Sequence, residues 1–352
     1  MKHTLFLAMS SFGLVATTLA GCQDQAGSGG GRRDYIRAVG SSTVYPFATA
    51  AAERFIQDNA GMKSPIIEST GTGAGMKLFC AGVGIQHPDI ENASRRMKKS
   101  EFDQCAANGV KEIVELQIGV DGLALAASKE GPAFALTPKH IYEALAANPY
   151  GKGENKTAKW SDIDPSLPAV AISVYGPPTT SGTRDSLSEL ILEKGCQSDP
   201  AMKALKEEDE DKYKAVCTRV REDGKYVDSG ENDNLIVSKV ASNPNSVGVF
   251  GYSFLEENLD KLKDIPLNGI PATYENVASG KYPGARPLYL YVKKAHLQAI
   301  PGLRPYLEAF EKGWGPGGYL VKRGMVAAQD DVRQQNAGIV KSLAALDGST
   351  LK

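Results

Sequence analysis

The chain has 352 residues, with 40 Lys and Arg against 41 Asp and Glu. That balance excludes a nucleic-acid binder, which needs a basic face to displace counterions from phosphates. Hydrophobic residues at 42% and charged residues at 23% exclude wholesale disorder, and the length predicts roughly two domains, each with its own core.

Taken from the front, Lys2 and His3 precede an apolar run from Thr4 to Ala20, the order of a secretory signal peptide. The run closes with Leu19-Ala20-Gly21-Cys22 and resembles the lipobox of bacterial lipoproteins, in which Cys22 becomes the lipid-bearing first residue. Residues 22–33, built around Gly27-Ser28-Gly29-Gly30-Gly31, read as a flexible tether. No later stretch reaches the roughly 20 apolar residues of a membrane-spanning helix.

Beyond the tether, β-branched runs alternate with helical patterns, which predicts α/β architecture. Strands are expected at Tyr35–Val39, Pro65–Glu68, Glu112–Val120, Leu123–Ala127, Val170–Tyr175, Val247–Phe250 and Pro287–Val292. Helices are expected from about Tyr45 to Asn59, Gly73 to Ala81, Pro138 to Ala147, Thr183 to Lys194, Asn232 to Ala241 and Asp330 to Leu346. Thr137 before Pro138 is a start signal for the third of these, as N-cap and first helical residue. The acidic segment Lys206–Lys212 reads as a solvated helix face.

Five cysteines are present: Cys22, Cys80, Cys105, Cys196 and Cys217. If Cys22 carries lipid, the remaining four suit an oxidising compartment. Three connectivities are open, and the local pairs Cys80–Cys105 and Cys196–Cys217 are favoured because they close short loops. The zinc reading lacks a cysteine pair at two-to-four-residue spacing.

Three loops share one design, a strand followed by Gly with small hydroxyl residues and then a helix. They are Gly40-Ser41-Ser42-Thr43-Val44-Tyr45-Pro46, Ser69-Thr70-Gly71-Thr72-Gly73-Ala74-Gly75 and Thr179-Thr180-Ser181-Gly182-Thr183-Arg184. A helix N-terminus leaves backbone N–H groups unpaired and carries about half a positive charge. Glycine lets an anion approach that backbone, and Ser and Thr add donors in little space. One such loop alone is commonly a capping device. Three together, joined by Ser94-Arg95 in a fourth turn, predict a shared oxyanion site.

The glycines of the second loop miss the Gly-x-Gly-x-x-Gly spacing, and Lys77 is followed by Leu78, which excludes a P-loop. His87, His140 and His296 stand apart from the glycine-rich loops. No Gly-x-Ser-x-Gly elbow or His-Glu-x-x-His motif is present, and Ser42 or Ser181 as a nucleophile has no evident base. Binding is therefore expected rather than catalysis, with no cofactor and no metal.

Ala38-Val-Gly-Ser-Ser-Thr-Val-Tyr-Pro46, Ser69-Thr-Gly-Thr-Gly-Ala-Gly-Met-Lys77, Asn92-Ala-Ser-Arg95, Ser181-Gly-Thr-Arg-Asp185 and Tyr289-Leu-Tyr-Val292 carry a resemblance. Over nearly all of the chain after the leader, the sequence resembles periplasmic phosphate-binding proteins, the PstS-type receptors of phosphate ABC transporters. The resemblance implies an α/β, two-lobe periplasmic-binding-protein fold of type II with hinge crossover strands, and one dehydrated inorganic phosphate clamped between the lobes. It implies a lipid-anchored monomer in the periplasm, with a membrane permease as partner. Ser42 is expected to donate its hydroxyl and Thr43 its backbone N–H. Gly71 and Thr72 match the family's paired serines, Ser94 keeps a family position, and Ser181, Gly182 and Thr183 match the second lobe's Ser-Gly-Thr.

Two departures bear on the ligand. Many family members place an arginine four residues before that serine, where this chain has Pro177, so Arg184 is expected to supply the charge. The family often has an aspartate after the Ala-Ser turn to accept the ligand's proton; Arg95 stands there instead. Two arginines strengthen the hold on a dianion but provide no acceptor. Asp121, expected at a turn between two crossover strands, is a candidate replacement, with a structural Asp–Arg pair as the alternative. Lobe one is expected to span residues 34–117 and 286–352, and lobe two residues 118–285. A receptor for another tetrahedral oxyanion, a phosphate sensor, or a phosphatase on this scaffold are the rival readings.

Overall fold

The computed structural model describes residues 33–230 and 232–352. The expected leader at 1–21, Cys22 and the tether up to residue 32 lie outside the described residues. The strands are β1 (Arg37–Gly40), β2 (Ile66–Ser69), β3 (Ile90–Ala93), β4 (Ile113–Ser128), β5 (Val174–Gly176), β6 (Tyr226–Asp228), β7 (Val247–Gly251), β8 (Leu262–Asp264) and β9 (Ala285–Lys293). They follow the order β2-β1-β3-β9-β4-β7-β5-β6, with β8 added onto β4. Pairing is parallel for β1 with β2 and β3, and for β5 with β6 and β7. The centre is antiparallel, through β3–β9, β4–β9, β4–β7 and β4–β8.

Where two strands and a turn at Asp121 are expected, a single 16-residue β4 runs through. Its first part pairs with β9 as far as Asp121 opposite Arg286 and Gly122 opposite Ala285. Leu123 onward then pairs with β7. A change of partner replaces the turn. The ladder also slips near Ile118, so that Gln117 faces Tyr289 while Gly119 faces Leu288, a bulge that bends the strand.

Helices α1 (Tyr45–Asp58), α2 (Thr72–Phe79), α3 (Lys99–Ala107) and α4 (Pro138–Leu145) follow the early strands. Next come α5 (Gly182–Ser186), a π-helical stretch at Leu187–Leu192 and α6 (Glu193–Cys196), which make one unbroken helical run. The remaining helices are α7 (Pro200–Glu208), α8 (Glu210–Cys217), α9 (Asp233–Ser242), α10 (Tyr252–Glu257), α11 (Tyr274–Ala278), α12 (Leu303–Gly313) and α13 (Asp330–Ser342). The start signal of α4 is realised, with Thr137 accepting from the His140 N–H. The acidic segment is split at Asp209, whose side chain caps α8. Helix α13 ends before Leu346 because Leu343 turns left-handed, at φ 53°.

Three hydrophobic clusters hold the elements. One draws on Val120 to Tyr282, joined by Val326. The others draw on Ile36 to Ile118 together with Leu288 to Leu351. In the second cluster α1 buries Ala48, Ala51, Ala52 and Phe55, and Phe55 meets Tyr306 of α12 edge-on at 5.9 Å. The expected disulfides are both present: Cys80–Cys105 pins the end of α2 to α3, and Cys196–Cys217 pins α6 to α8. Among the described residues no helix is long and apolar enough to cross a membrane.

Candidate functional site

Because β1, β2 and β3 are parallel neighbours, the loops that follow them emerge at one edge of the sheet. Gly40 ties them together: its carbonyl accepts from the Thr70 and Gly71 N–H groups at 2.8 Å, and the Ser41 N–H donates to the Asn92 carbonyl at 2.7 Å. Thr72 Oγ1 lies 3.1 Å from Ser94 Oγ and accepts from the Ser94 N–H at 3.1 Å. Helix α2 begins at Thr72 with no side-chain cap, which leaves its first N–H groups to other acceptors. Thr72 and Ser94 are thus hydrogen-bonded to each other, while Gly71 is tied to Gly40; none of the three is among the residues lining the cleft.

Ser42, Thr43, Ser181, Gly182 and Thr183 line a single cleft of about 630 Å³, together with Asp121. The two loops touch. A Cβ on Gly182 would fall 3.0 Å from Thr43 Cα and 3.3 Å from the Ser42 carbonyl, so the glycine is required by close approach. Ser181 caps its own helix by accepting from the Thr183 N–H at 3.2 Å. Thr43 N–H donates to Ser41 Oγ at 3.1 Å. The Ser42 hydroxyl donates to the carboxylate of Asp185, one turn into α5.

A buried cation bonded to the cleft residues Thr43 and Asp121 was missed by the sequence reading. Arg286, 6% exposed, reaches in from β9. Its Nη2 donates to Thr43 Oγ1 at 2.6 Å and to Ser186 Oγ at 2.8 Å, and its Nε donates to Asp121 Oδ2 at 3.2 Å. Its Nη1 meets Glu189. Ser186 Oγ in turn donates to Asp121 Oδ2 at 2.5 Å. The structural alternative for Asp121, an Asp–Arg pair, is thus the arrangement present.

The two arginines expected at the anion have other partners. Arg95 forms a two-pronged pair with Glu101, at 2.9 and 2.7 Å, and that contact raises the arginine further above its ordinary range. Arg184 lies over the ring of Tyr226, 4.4 Å from its centroid, with Nη1 3.5 Å from the Pro177 carbonyl. Tyr226 Oη donates to the same carbonyl at 2.7 Å. Neither Arg95 nor Arg184 is among the residues that line the cleft, and the buried Arg286, far downstream of Ser181, has no local motif to announce it. A second acid, Asp233 at the start of α9, also lines the cleft. Burial pushes its carboxyl up to about 6, against a lowering hydrogen bond from the Gly251 N–H. Among the described residues no cluster of His, Cys, Asp and Glu could hold a metal ion.

The profile of the PBP superfamily domain matches residues 25–311. The chain belongs to the PBP superfamily. Protein SphX of Synechococcus elongatus is 31% identical over 338 residues, covering 91% of this chain and 88% of its own length. Phosphate-binding protein PstS of Staphylococcus saprophyticus is 29% identical over 316 residues, covering 85% of each chain. A crystal structure described as a possible phosphate binding protein from Planctomyces limnophilus superposes with a TM-score of 0.71 at 26% identity, covering 89% of this chain and 99% of that one. The fold is accordingly the two-lobe α/β architecture of PBP-superfamily proteins, and the PstS and Planctomyces relatives are named as phosphate-binding proteins.

Proposed function

We propose that this protein binds inorganic phosphate in the periplasm and delivers it to the membrane permease of a phosphate ABC transporter. The observation that carries the reading is the meeting of two Ser/Thr/Gly loops, Ser42-Thr43 and Ser181-Gly182-Thr183, around one cleft, with the buried Arg286 bonded to Thr43 and Asp121 of its lining. Hydroxyls, backbone N–H groups and one fixed guanidinium are the donors a tetrahedral oxyanion needs. The names of the PstS and Planctomyces relatives support phosphate as that anion. Gly71, Thr72 and Ser94 serve as the adjoining donors of the first half. Arg184, leaving the Tyr226 ring, and Arg95 complete the charge around the ligand.

Asp121 is occupied by Ser186 and Arg286, so the acceptor for the proton of HPO₄²⁻ is Asp185, whose carboxylate already meets Ser42. Residues 34–117 and 286–352 form one lobe and 118–285 the other, with β4 and β9 as the hinge. The hydrophobic clusters divide just after Ile118 and between Tyr282 and Leu288, within a residue or so of these bounds, with Val326 alone crossing to the second lobe's cluster, which supports this. The protein acts as a monomer, tethered through Cys22 after removal of residues 1–21; membrane fractionation of a Cys22→Ser variant, expected in the soluble fraction, tests the anchor.

The deciding experiment is a thermal-shift titration of ligand-stripped protein with phosphate, sulfate and arsenate. Phosphate at a thousand times its Kd stabilises the folded state by about 4 kcal/mol, with no turnover of a chromogenic phosphate ester. Equal shifts with sulfate would make this a general oxyanion receptor, and the absence of any shift would overturn the reading.

A further inference from the structure

Directly beneath the first-half loops lies a carboxyl group that no interaction explains. Glu91, in the middle of β3, is 0% exposed, and neither of its carboxyl oxygens has a hydrogen-bond partner. It occupies room left by two glycines. A Cβ on Gly40 would fall 2.7 Å from Glu91 Oε1, and one on Gly75 would run into Glu91 Oε2. Gly40 leads directly into Ser41-Ser42-Thr43, and Gly75 closes the first turn of α2, which opens at Thr72. The carboxyl is therefore packed against the backbone of both segments that present donors to the anion.

Its surroundings offer no stable counter-charge. Arg95, in the turn after β3, is near enough to favour the ionised form, but its guanidinium is held by Glu101 of α3, and Glu101 itself opposes ionisation. Across β9 the register partner is Tyr291, whose Oη donates to Glu115 and accepts from the Met97 N–H. On β1 and α2 the neighbours are Gly40 and Gly75, and Lys77 of α2 is exposed. Burial pushes the Glu91 carboxyl well above the usual carboxylate range. An ionised carboxylate sealed in this place has neither solvent nor a partner to stabilise it.

We propose that Glu91 must stay protonated for the cleft to hold its anion, so that phosphate binding is linked to proton retention at a residue that never touches the ligand. The proposal rests on the phosphate reading above. An anion in the cleft and a carboxylate under Gly40 would repel each other through a medium with few mobile dipoles. Linkage then requires that each disfavours the other: ionisation of Glu91 loosens phosphate, and bound phosphate holds the proton on Glu91. The result is a receptor that grips less tightly in alkaline surroundings even after the ligand has become fully HPO₄²⁻.

The test compares phosphate affinity of the native protein and Glu91→Gln from neutral to alkaline pH, by calorimetry in two buffers of different ionisation enthalpy. Both proteins are expected to bind alike at neutral pH. The native affinity should then fall at least about tenfold more than that of the variant, and native protein alone should take up extra protons on binding. Infrared difference spectra of the native protein give a readout that does not depend on the variant folding: phosphate added at alkaline pH should increase the C=O band of a protonated carboxyl. Superimposable pH profiles with no such band would overturn the proposal while leaving the phosphate reading intact. Failure of the native protein to bind phosphate at any pH would remove both.

Discussion

Replacing Arg286 with Met separates two roles that this side chain combines. The guanidinium pairs with Asp121, whose side chain is 15% exposed, while its other acid, Glu189, is 52% exposed and contributes little. Removing one partner of a buried pair typically costs about 3–5 kcal/mol, because the other charge is left uncompensated. At roughly 2–4 °C per kcal/mol, Arg286→Met should melt about 10 °C lower. The same change deletes the buried cation behind Thr43, and one charge-assisted hydrogen bond of about 1.5–3 kcal/mol corresponds to an affinity loss of about 10- to 150-fold. A second substitution, Asp121→Asn, removes the stranded carboxylate. The double variant should recover most of the melting temperature, read by circular dichroism, while phosphate affinity, read by calorimetry, stays low. If restoring stability also restored affinity, Arg286 would be only a brace for Asp121, and the argument for a cation behind the cleft would fail.

Asp185→Asn should narrow the preference for phosphate over sulfate by at least about tenfold in competition titrations, since an amide can donate to a fully deprotonated oxyanion where a carboxylate cannot; an unchanged ratio would exclude Asp185 as the proton acceptor. Lys293 is almost fully buried in β9, donating to the Gly82 carbonyl at 2.6 Å, and burial lowers its amine to about 7. A depressed amine leaves the unfolded chain holding the extra proton between about pH 7 and its ordinary 10.5, so native stability should rise with pH across that window, by a few kcal/mol in all. Lys293→Met should abolish that rise in urea-melt series, and parallel slopes for the two proteins would contradict it. Converting Cys196 and Cys217 together to Ser should cost about 3 kcal/mol, as expected for a bridge closing 21 residues, with phosphate affinity little changed because neither cysteine borders the cleft; a large affinity loss would show that the α6–α8 bridge also shapes the site.

The parts of the molecule that were legible in the sequence are those whose signal is local. Thr137-Pro138 announces α4, and the Gly/Ser/Thr clusters at 40–46, 69–75 and 179–184 mark strand-to-helix turns. The recurrence of that design is what led to the expectation of one shared site; the structure brings 40–46 and 179–184 to one cleft and ties 69–75 to Gly40. Strand β3 escaped notice since Glu91 and Asn92 place polar residues in a four-residue run that is buried throughout, so neither alternation nor a continuous apolar stretch betrays it. Helix α12 is strongly two-faced, with Leu303, Tyr306, Leu307 and Phe310 buried, yet Pro305 in its first turn reads as a breaker when the start is unknown. Asp121-Gly122 looks like a turn, and becomes strand only because β7 takes over from β9 as partner. Arg286 precedes Pro287 and falls just outside the strand expected at Pro287–Val292. Its meaning depends on Thr43, Asp121 and Ser186, which no spacing rule connects to it.

The two disulfides join consecutive cysteines among the four described, across separations of 25 and 21 residues, and each lies within one hydrophobic cluster. For a chain that crosses a membrane N-terminus first, this sets an order of oxidation. Cys105 reaches the oxidising side while Cys196 is still some ninety residues behind, so the first bridge can close with no later thiol present to compete for it. With Cys22 lipidated as proposed, the second pair then meets a partner set already reduced to two. In a chain exported that way, correct pairing would follow from timing, with no need of an isomerase to undo crossed bridges.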